Sequence, residues 1–336
     1  MNTENIFTYK DCFAEVENVP TFPIMESWDE SLLFTFAIPT YNRPETLDET
    51  LQSILNQNSS IKYNIIISDN NPERDDSTEK LIKDKYNQIP RLSYYKNSQN
   101  LHSHGNWNRL VLLCRTKYMI LIHDDDLLFE NFLDNIQKMQ EHFPNAAAIN
   151  VAKQRWNGDN SVKPNISNKK YRVLSNTTYT NFAFFGFGAP TGCLFNVKDV
   201  KETGGFNAVI GPSFDYSNAI TMCLQGKEVL NYKKPLILYR CVNNASSDMR
   251  VQYLQVDGDN LMRRHLAEIL NLPMFYVRFV CWLKTKIRLR GINKKEPLLS
   301  YKGYTPGGSL FMIVYKLFSW GYVDIWVNRM HCIAKL

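Results

Sequence analysis

Residues 119–128 read Met119-Ile120-Leu121-Ile122-His123-Asp124-Asp125-Asp126-Leu127-Leu128. An apolar, β-branched run passes directly into three adjacent carboxylates. Like charges that close repel one another, and the cost is tolerable only where a cation, a cluster of donors or bulk water offsets it. Oxygen-rich sites of this kind suit Mg2+ or Mn2+, which bridge one or two carboxylates to the phosphates of a substrate. An acidic loop capping the next helix would account for the same residues, because carboxylates are favourable at helix N-termini. The position of the cluster after the fourth strand of an alternating series weighs toward the metal.

That series becomes visible on working outward. Strand-like runs at Leu33 to Ile38, Tyr63 to Ser68, Leu92 to Lys96 and Tyr118 to Ile122 alternate with helical patterns at about Glu45 to Asn56, Thr78 to Tyr86 and Trp107 to Cys114. The spacing predicts an α/β fold with a mostly parallel central sheet, helices on both faces and the ligand at the carboxyl ends of the strands. A helix over Asn131 to His142 and a strand over Ala146 to Val151 follow. Residues 153–181 carry turn signals and read as an irregular excursion. Order resumes with a helix near Tyr216 to Leu224 and a strand near Leu230 to Tyr239, before a tail of helices at Tyr253 to Leu270, Met274 to Arg290 and Ser309 to Cys332.

Each polar signature falls at a strand end. After the first strand, Pro39-Thr40-Tyr41-Asn42-Arg43-Pro44 opens a helix; Tyr41 offers a ring face, Arg43 a phosphate contact, and backbone amides face any anion there. An ordinary Asn cap followed by Pro would read the same way. After the second, Ser68-Asp69-Asn70-Asn71-Pro72 places a carboxylate where it could accept from a base imide or a ribose hydroxyl, or else forms a plain Asp-Asn turn. No Gly-x-Gly-x-x-Gly follows the first strand, which argues against a dinucleotide-binding oxidoreductase.

In order and spacing, Pro39 to Arg43, Ile66 to Asn71, Asn100-Leu101 with Asn108, and His123 to Asp126 resemble the family 2 glycosyltransferases of the GT-A fold, a Rossmann-like architecture. The similarity continues through Gly204-Gly205-Phe206, Asp215-Tyr216 and Tyr239-Arg240, so it covers roughly residues 33–248. It implies a nucleotide-sugar site lined by Pro39, Thr40, Tyr41, Asn42, Arg43, Asp69, Asn100, Asn108, Asp124 and Asp125, with a metal ion on Asp126 and Asp124. The family's acidic motif is Asp-x-Asp-Asp, so His123 occupies its first position, and which carboxylate binds metal directly stays open. It further implies that Asp215 deprotonates the acceptor hydroxyl, with inversion at the anomeric carbon, and that Tyr239 and Arg240 lie on the acceptor or diphosphate side. This chain departs from the pattern twice. Phe214 replaces the usual Glu before the base, and Val242 stands where a metal-reaching His is expected. A non-catalytic nucleotide-sugar binder of the same fold is the alternative these departures leave open.

The resemblance divides the chain into an N-terminal extension (1–32), a nucleotide-sugar half (33–150), an acceptor half (151–250) and a basic, aromatic helical C-terminal region (251–336). A total of 44% apolar residues with 21% charged excludes wholesale disorder. The net charge of +6 is uneven: from Pro273 onward eleven Lys and Arg stand against Glu296 and Asp324, a surplus of nine, which leaves the remainder at −3. Beside Phe275, Tyr276, Phe279 and Trp282 this tail could dock on anionic lipid headgroups or pack on the body or a second subunit. No nucleic-acid reader motif accompanies the charge, so no nucleic acid is expected. Seven dispersed Cys and an acidic N-terminus suit reduced thiols in a cytoplasmic protein, peripheral at the inner face of the plasma membrane. The expected partners are a nucleoside diphosphate sugar, UDP-linked, and a lipid-linked saccharide acceptor, as in bacterial O-antigen or capsule assembly, with Mn2+ or Mg2+ as cofactor.

Overall fold

The structure is a computed structural model that describes residues 5–158, 170–176, 189–242, 248–293 and 332–336. The first half alternates as its sequence pattern predicts: β2 (Phe34–Thr40), α2 (Pro44–Leu55), β3 (Asn64–Asp69), α3 (Ser77–Lys85), β4 (Leu92–Asn97), α4 (His102–Leu113) and β5 (Tyr118–Leu121). Strands β2, β3, β4 and β5 pair in parallel in the spatial order β4-β3-β2-β5. These strands are buried almost throughout because both faces are covered. Phe34, Phe36, Ile38, Ile65, Ile67 and Ile120 pack against α2 and α3, whereas Ala37, Ile66, Met119 and Leu121 point the other way, onto α4.

Two elements precede this series, α1 (Ala14–Glu17) and β1 (Thr21–Met25). Strand β1 lies antiparallel on β4 at the sheet edge, where Pro23 opposite Tyr95 is tolerated because an edge strand need not donate every ladder bond. That proline hides the strand from a reading by pattern. The extension also braces the body: the Arg109 guanidinium donates to the carbonyls of Val16 and Val19, and Cys12 N donates to Gly204 O at 2.9 Å.

Beyond β5 come β6 (Leu127–Leu128), α5 (Phe132–His142), β7 (Ala146–Trp156), β8 (Arg172–Ser175), β9 (Cys193–Asn196), α6 (Val197–Glu202), α7 (Phe214–Leu224) and β10 (Glu228–Arg240). Helix α5 joins the face of α2 and α3; α6 and α7 join that of α4, so helices cover both faces. Strand β9 is antiparallel to both β5 and β7, β10 is parallel to β7, and β6 and β8 are antiparallel to β10. The sheet is thus mixed, with the parallel strands β4-β3-β2-β5 continued by strands of both directions. The expected excursion over 153–181 contains the end of β7 and all of β8; residues 159–169 and 177–181 lie outside the described set.

The chain continues in α8 (Met249–Ile269), α9 (Met274–Asn293) and β11 (Cys332–Lys335), which pairs with β8. Of the expected last helix, 309–331 lie outside the described residues and Cys332 starts a strand. Among the described residues no helix is long and apolar enough to cross a membrane.

Gly204 sits at φ +84°, and an added Cβ would lie 2.1 Å from the Lys10 carbonyl oxygen. Gly204→Ala is expected to lower stability by roughly 2 kcal/mol or more, read from urea unfolding, because both the backbone and the brace from the N-terminal segment must yield.

Candidate active site

Strand register builds the site. Ala37 pairs with Leu121, and Thr40 pairs with Asp69, so the carboxyl ends of β2, β3 and β5 meet. Three residues beyond the Ala37–Leu121 pair, the Thr40 hydroxyl donates to Asp124 Oδ2 at 2.8 Å. Arg43, at the entry to α2, reaches Asp125 at 2.9 Å and Asp124 at 3.4 Å. Helix α2 supports the turn from below, with Thr50 Oγ1 donating to the Asp126 carbonyl at 2.9 Å. From the far side Arg240 N donates to Asp126 Oδ1 at 2.9 Å, and Arg240 Nε donates to the Asp125 carbonyl at 2.8 Å. The same guanidinium lies 4.4 Å from the Trp156 ring centre and pairs with Glu49.

Burial is the main electrostatic force here. It pushes the Asp124 carboxyl up to about 6, against the pull of Arg43. Asp126 is raised too, first by burial and then by the charge of Asp125. Burial pulls the His123 imidazole down to about 4, so the ring is neutral and a nitrogen is available as a ligand. His123 Nδ1 stands 3.6 Å from Asp126 Oδ2. Neither Asp126 Oδ2 nor His123 Nε2 has a hydrogen-bond partner among the described residues, although both are buried. Such orphaned atoms are costly unless something else satisfies them.

His123, Asp125 and Asp126 present ligand atoms within 4.8 Å of one another, and this donor set fits a divalent cation. Asp124 lies outside this cluster, with its carboxylate on Thr40 and on Arg43, which also pairs with Asp125. The expected pair was Asp126 with Asp124, whereas the atoms that cluster are those of Asp126, Asp125 and His123. The sequence shows His123 only as a substitution in the acidic motif; its nearness to Asp125 and Asp126 comes from the fold of the turn.

The remaining candidates separate. Tyr41 is 47% exposed with its ring open to a stacking partner, and Asn42, at φ +53°, turns the chain into α2. Asn42 Oδ1 accepts from Asn71 Nδ2 at 2.7 Å, which joins the loops after β2 and β3. Pro39 lies in β2 opposite Ser68. Asp69 is fully buried: Tyr94 Oη donates to it at 2.6 Å, Lys96 Nζ at 3.1 Å and Asn71 N at 2.9 Å. These bonds brace the loop after β3. Asn100 is exposed and accepts from His102 N, setting the start of α4. The Asn108 amide bonds the backbone of Phe206 at both ends, 2.8 and 3.0 Å.

Asp215 occupies the first turn of α7 and is raised to about 7 by burial, with Asp259 of α8 adding to the effect. Phe214 packs its ring 4.7 Å from Trp107, which in turn stands 5.5 Å from His123. The Trp107 indole thus spans from Phe214, next to Asp215, to His123 of the acidic turn. Lys153 of β7, whose charge acts on Asp126 and on Asp215, makes the same connection electrostatically; burial lowers it to about 8. Tyr239 precedes Arg240 on β10 and pairs with Arg155. Val242 is exposed beyond the strand. Sequence reasoning missed Lys153 and Asp259 because neither belongs to a motif; only the sheet and α8 bring them in.

The model of glycosyl transferase family 2 matches residues 35–202, half of the chain. The chain belongs to glycosyl transferase family 2. Its relatives include abequosyltransferase RfbV of Salmonella typhimurium, 34% identical over 136 residues, 39% of either chain. Against the curated relatives it matches, this family 2 chain spans two fifths of their length or less. The fold is that of mannosyltransferase PcManGT from Pyrobaculum calidifontis, solved with GDP-Man and Mn2+ (TM-score 0.54, 13% identity, 90% of this chain and 85% of that one). It is also that of Staphylococcus aureus TarS 1-349 solved with UDP-GlcNAc (TM-score 0.52, 15% identity, 71% and 72%). The GT-A architecture expected from the motifs is thereby shown.

The raised Asp126 carboxyl must lose its proton before a cation binds, so Mn2+ affinity is expected to rise with pH above the ordinary carboxylate range. Calorimetry in buffers of different ionisation enthalpy reads the released proton, and Asp126→Asn should lower the affinity at least about tenfold.

Proposed function

We propose that this family 2 glycosyl transferase moves a sugar, with inversion, from a UDP-sugar to a hydroxyl of a lipid-linked saccharide in bacterial surface polysaccharide assembly, O-antigen or capsule. The observation that carries the reading is the orphaned oxygen of Asp126, facing His123 and Asp125 and linked through Lys153 to the charge of Asp215. Binding of UDP-GlcNAc by TarS and of GDP-Man with Mn2+ by PcManGT supports a nucleoside diphosphate sugar as donor and Mn2+ as its ion. One imidazole among two carboxylates also suits Mn2+ better than Mg2+. When bound, the ion would neutralise the diphosphate of the donor and the charge of its departure.

The chain's own residues do the rest. Tyr41 stacks on the base, Arg43 and the first turn of α2 orient the phosphates, and the loops tied by Asn42 and Asn71 shape the nucleoside pocket. Asp215 takes the proton of the acceptor hydroxyl as its oxygen attacks the anomeric carbon. The bond from that carbon to the diphosphate oxygen breaks with its electron pair on the phosphate, so a single displacement inverts the centre. A carboxyl raised toward neutrality is a stronger base than an ordinary Asp.

The lipid-linked acceptor and a peripheral position at the inner membrane face rest on the basic tail and on α9, where Phe275 is 79% exposed near Met274 and Arg278. The rival reading, a binder without turnover, draws on Phe214 and Val242.

Asp215→Asn separates the two. Turnover is expected to fall by about a thousandfold, with UDP-sugar affinity by calorimetry held within about twofold because no donor contact is lost; a wild-type protein that shows no turnover against any nucleotide sugar and acceptor would leave the binder. Activity of the wild type should rise with pH as Asp215 loses its proton, flattening above about 7. The sign follows from the ionised form being the base.

A further inference from the structure

We infer that Lys153 is a substrate-binding residue of this site, holding the diphosphate of the donor and steadying the charge that gathers on it as the sugar leaves. The inference rests on the functional reading above and names a residue that no part of the motif pattern contains.

Position is the first argument. Lys153 pairs on the sheet with Ile237 of β10, and Ile237 pairs in turn with Leu128 of β6, just after the acidic turn. Three residues along β10 from Ile237, Arg240 N holds Asp126. Lys153 therefore belongs to the same strand ends as the turn. Its ammonium interacts electrostatically with Asp126, His123 and Asp215 together. If the diphosphate sits over the turn and the acceptor hydroxyl at Asp215, the breaking bond lies between them, and this cation acts on both ends of that path.

The second argument is what Lys153 does not do. Among the described residues its ammonium makes no direct ion pair. Lys96 shows the contrast, buried at 3.1 Å from Asp69 and 2.8 Å from Asp76 as a structural counter-charge. Lys153 is anchored instead by donating to Asn150 Oδ1 on its own strand. An ammonium has three N–H donors, so this anchor leaves donors for an anion. A half-buried Lys held near two carboxylates but bonded to neither is poorly explained as a brace, because desolvation of its charge is then not repaid by contact.

Charge balance is the third. The carboxylates of Asp125 and Asp126 cancel the two charges of a divalent ion, and Arg43 is engaged with Asp124 and Asp125. The diphosphate of the donor needs a further cation, more so as the leaving oxygen takes up the electron pair. The position where the family pattern carries a metal-reaching His is Val242 here. Lys153 supplies positive charge on the same side of the turn as β10, where that ligand is missing.

The test uses the full chain with saturating Mn2+ and compares UDP with uridine by calorimetry in the wild type, Lys153→Gln and Lys153→Arg. Lys153→Gln is expected to weaken UDP by about ten- to a hundredfold, the worth of a hydrogen bond to a charged group, while uridine binding stays within about twofold and Lys153→Arg restores most of the UDP affinity. Equal loss for UDP and uridine, or no loss for either, overturns the assignment. A measurement on the unaltered protein guards against a variant that fails to fold: UDP with Mn2+ should shield Lys153 from amine acylation, read by mass spectrometry, and labelling that is unchanged by UDP counts against the role. A wild type that binds neither UDP nor any other nucleoside diphosphate defeats the functional reading itself, whereas binding that ignores Lys153 defeats only this residue's part.

Discussion

The main-chain N–H of Arg240 donates to Asp126 while its guanidinium takes the carbonyl of Asp125, and this two-point grip fixes the acidic turn from across the sheet. Three adjacent carboxylates at a buried strand end are otherwise self-repelling. The turn divides them: Asp124 goes to Thr40 and Arg43, Asp125 shares Arg43, and Asp126 keeps one oxygen on Arg240 and leaves the other bare. That division depends on β2 and β5 being in register and on β10 arriving beside β6. Most of the architecture can be read as the means of bringing those strand ends together.

The alternating half was legible because its strands are buried on both faces and its helices carry one apolar stripe each, so period and composition agree. Boundaries at α2, α3 and β3 follow within a residue or two. The start of α4 was misplaced at Trp107 because the turn before it is set by the Asn100 side chain and a left-handed His102, which no apolar pattern reveals. Strands β1, β8 and β9 are short or contain Pro, and their strand character comes from pairing partners distant in the chain. At the site, strand ends and motif order bring Thr40, Arg43 and the acidic turn together, as the sequence pattern expects. Sequence does not say which way each carboxylate points, nor that Asn108 spends its amide on Phe206.

Phe214 shows how a departure from a family pattern is absorbed. A carboxylate at that position would have to enter a cluster made by Trp107, Phe206 and Phe195. A phenyl ring fills it instead, and Asp215 is left with Asp259 as its acidic neighbour. A Glu there would add a second acidic neighbour and raise Asp215 further, so Phe214 bears on that carboxyl as well as packing the core.

Strand β7 runs unbroken from Ala146 to Trp156 and pairs with β10 along nearly its whole length. Elements on either side of this ladder cannot hinge like jaws without tearing main-chain hydrogen bonds in the middle of the sheet. Adjustment is therefore confined to the connections above the strand ends, while the spacing between the acidic turn and Asp215 is set once, when the chain folds. Folding thus orders the protein's own groups in advance, and only the freedom of an incoming molecule is left to be lost on binding.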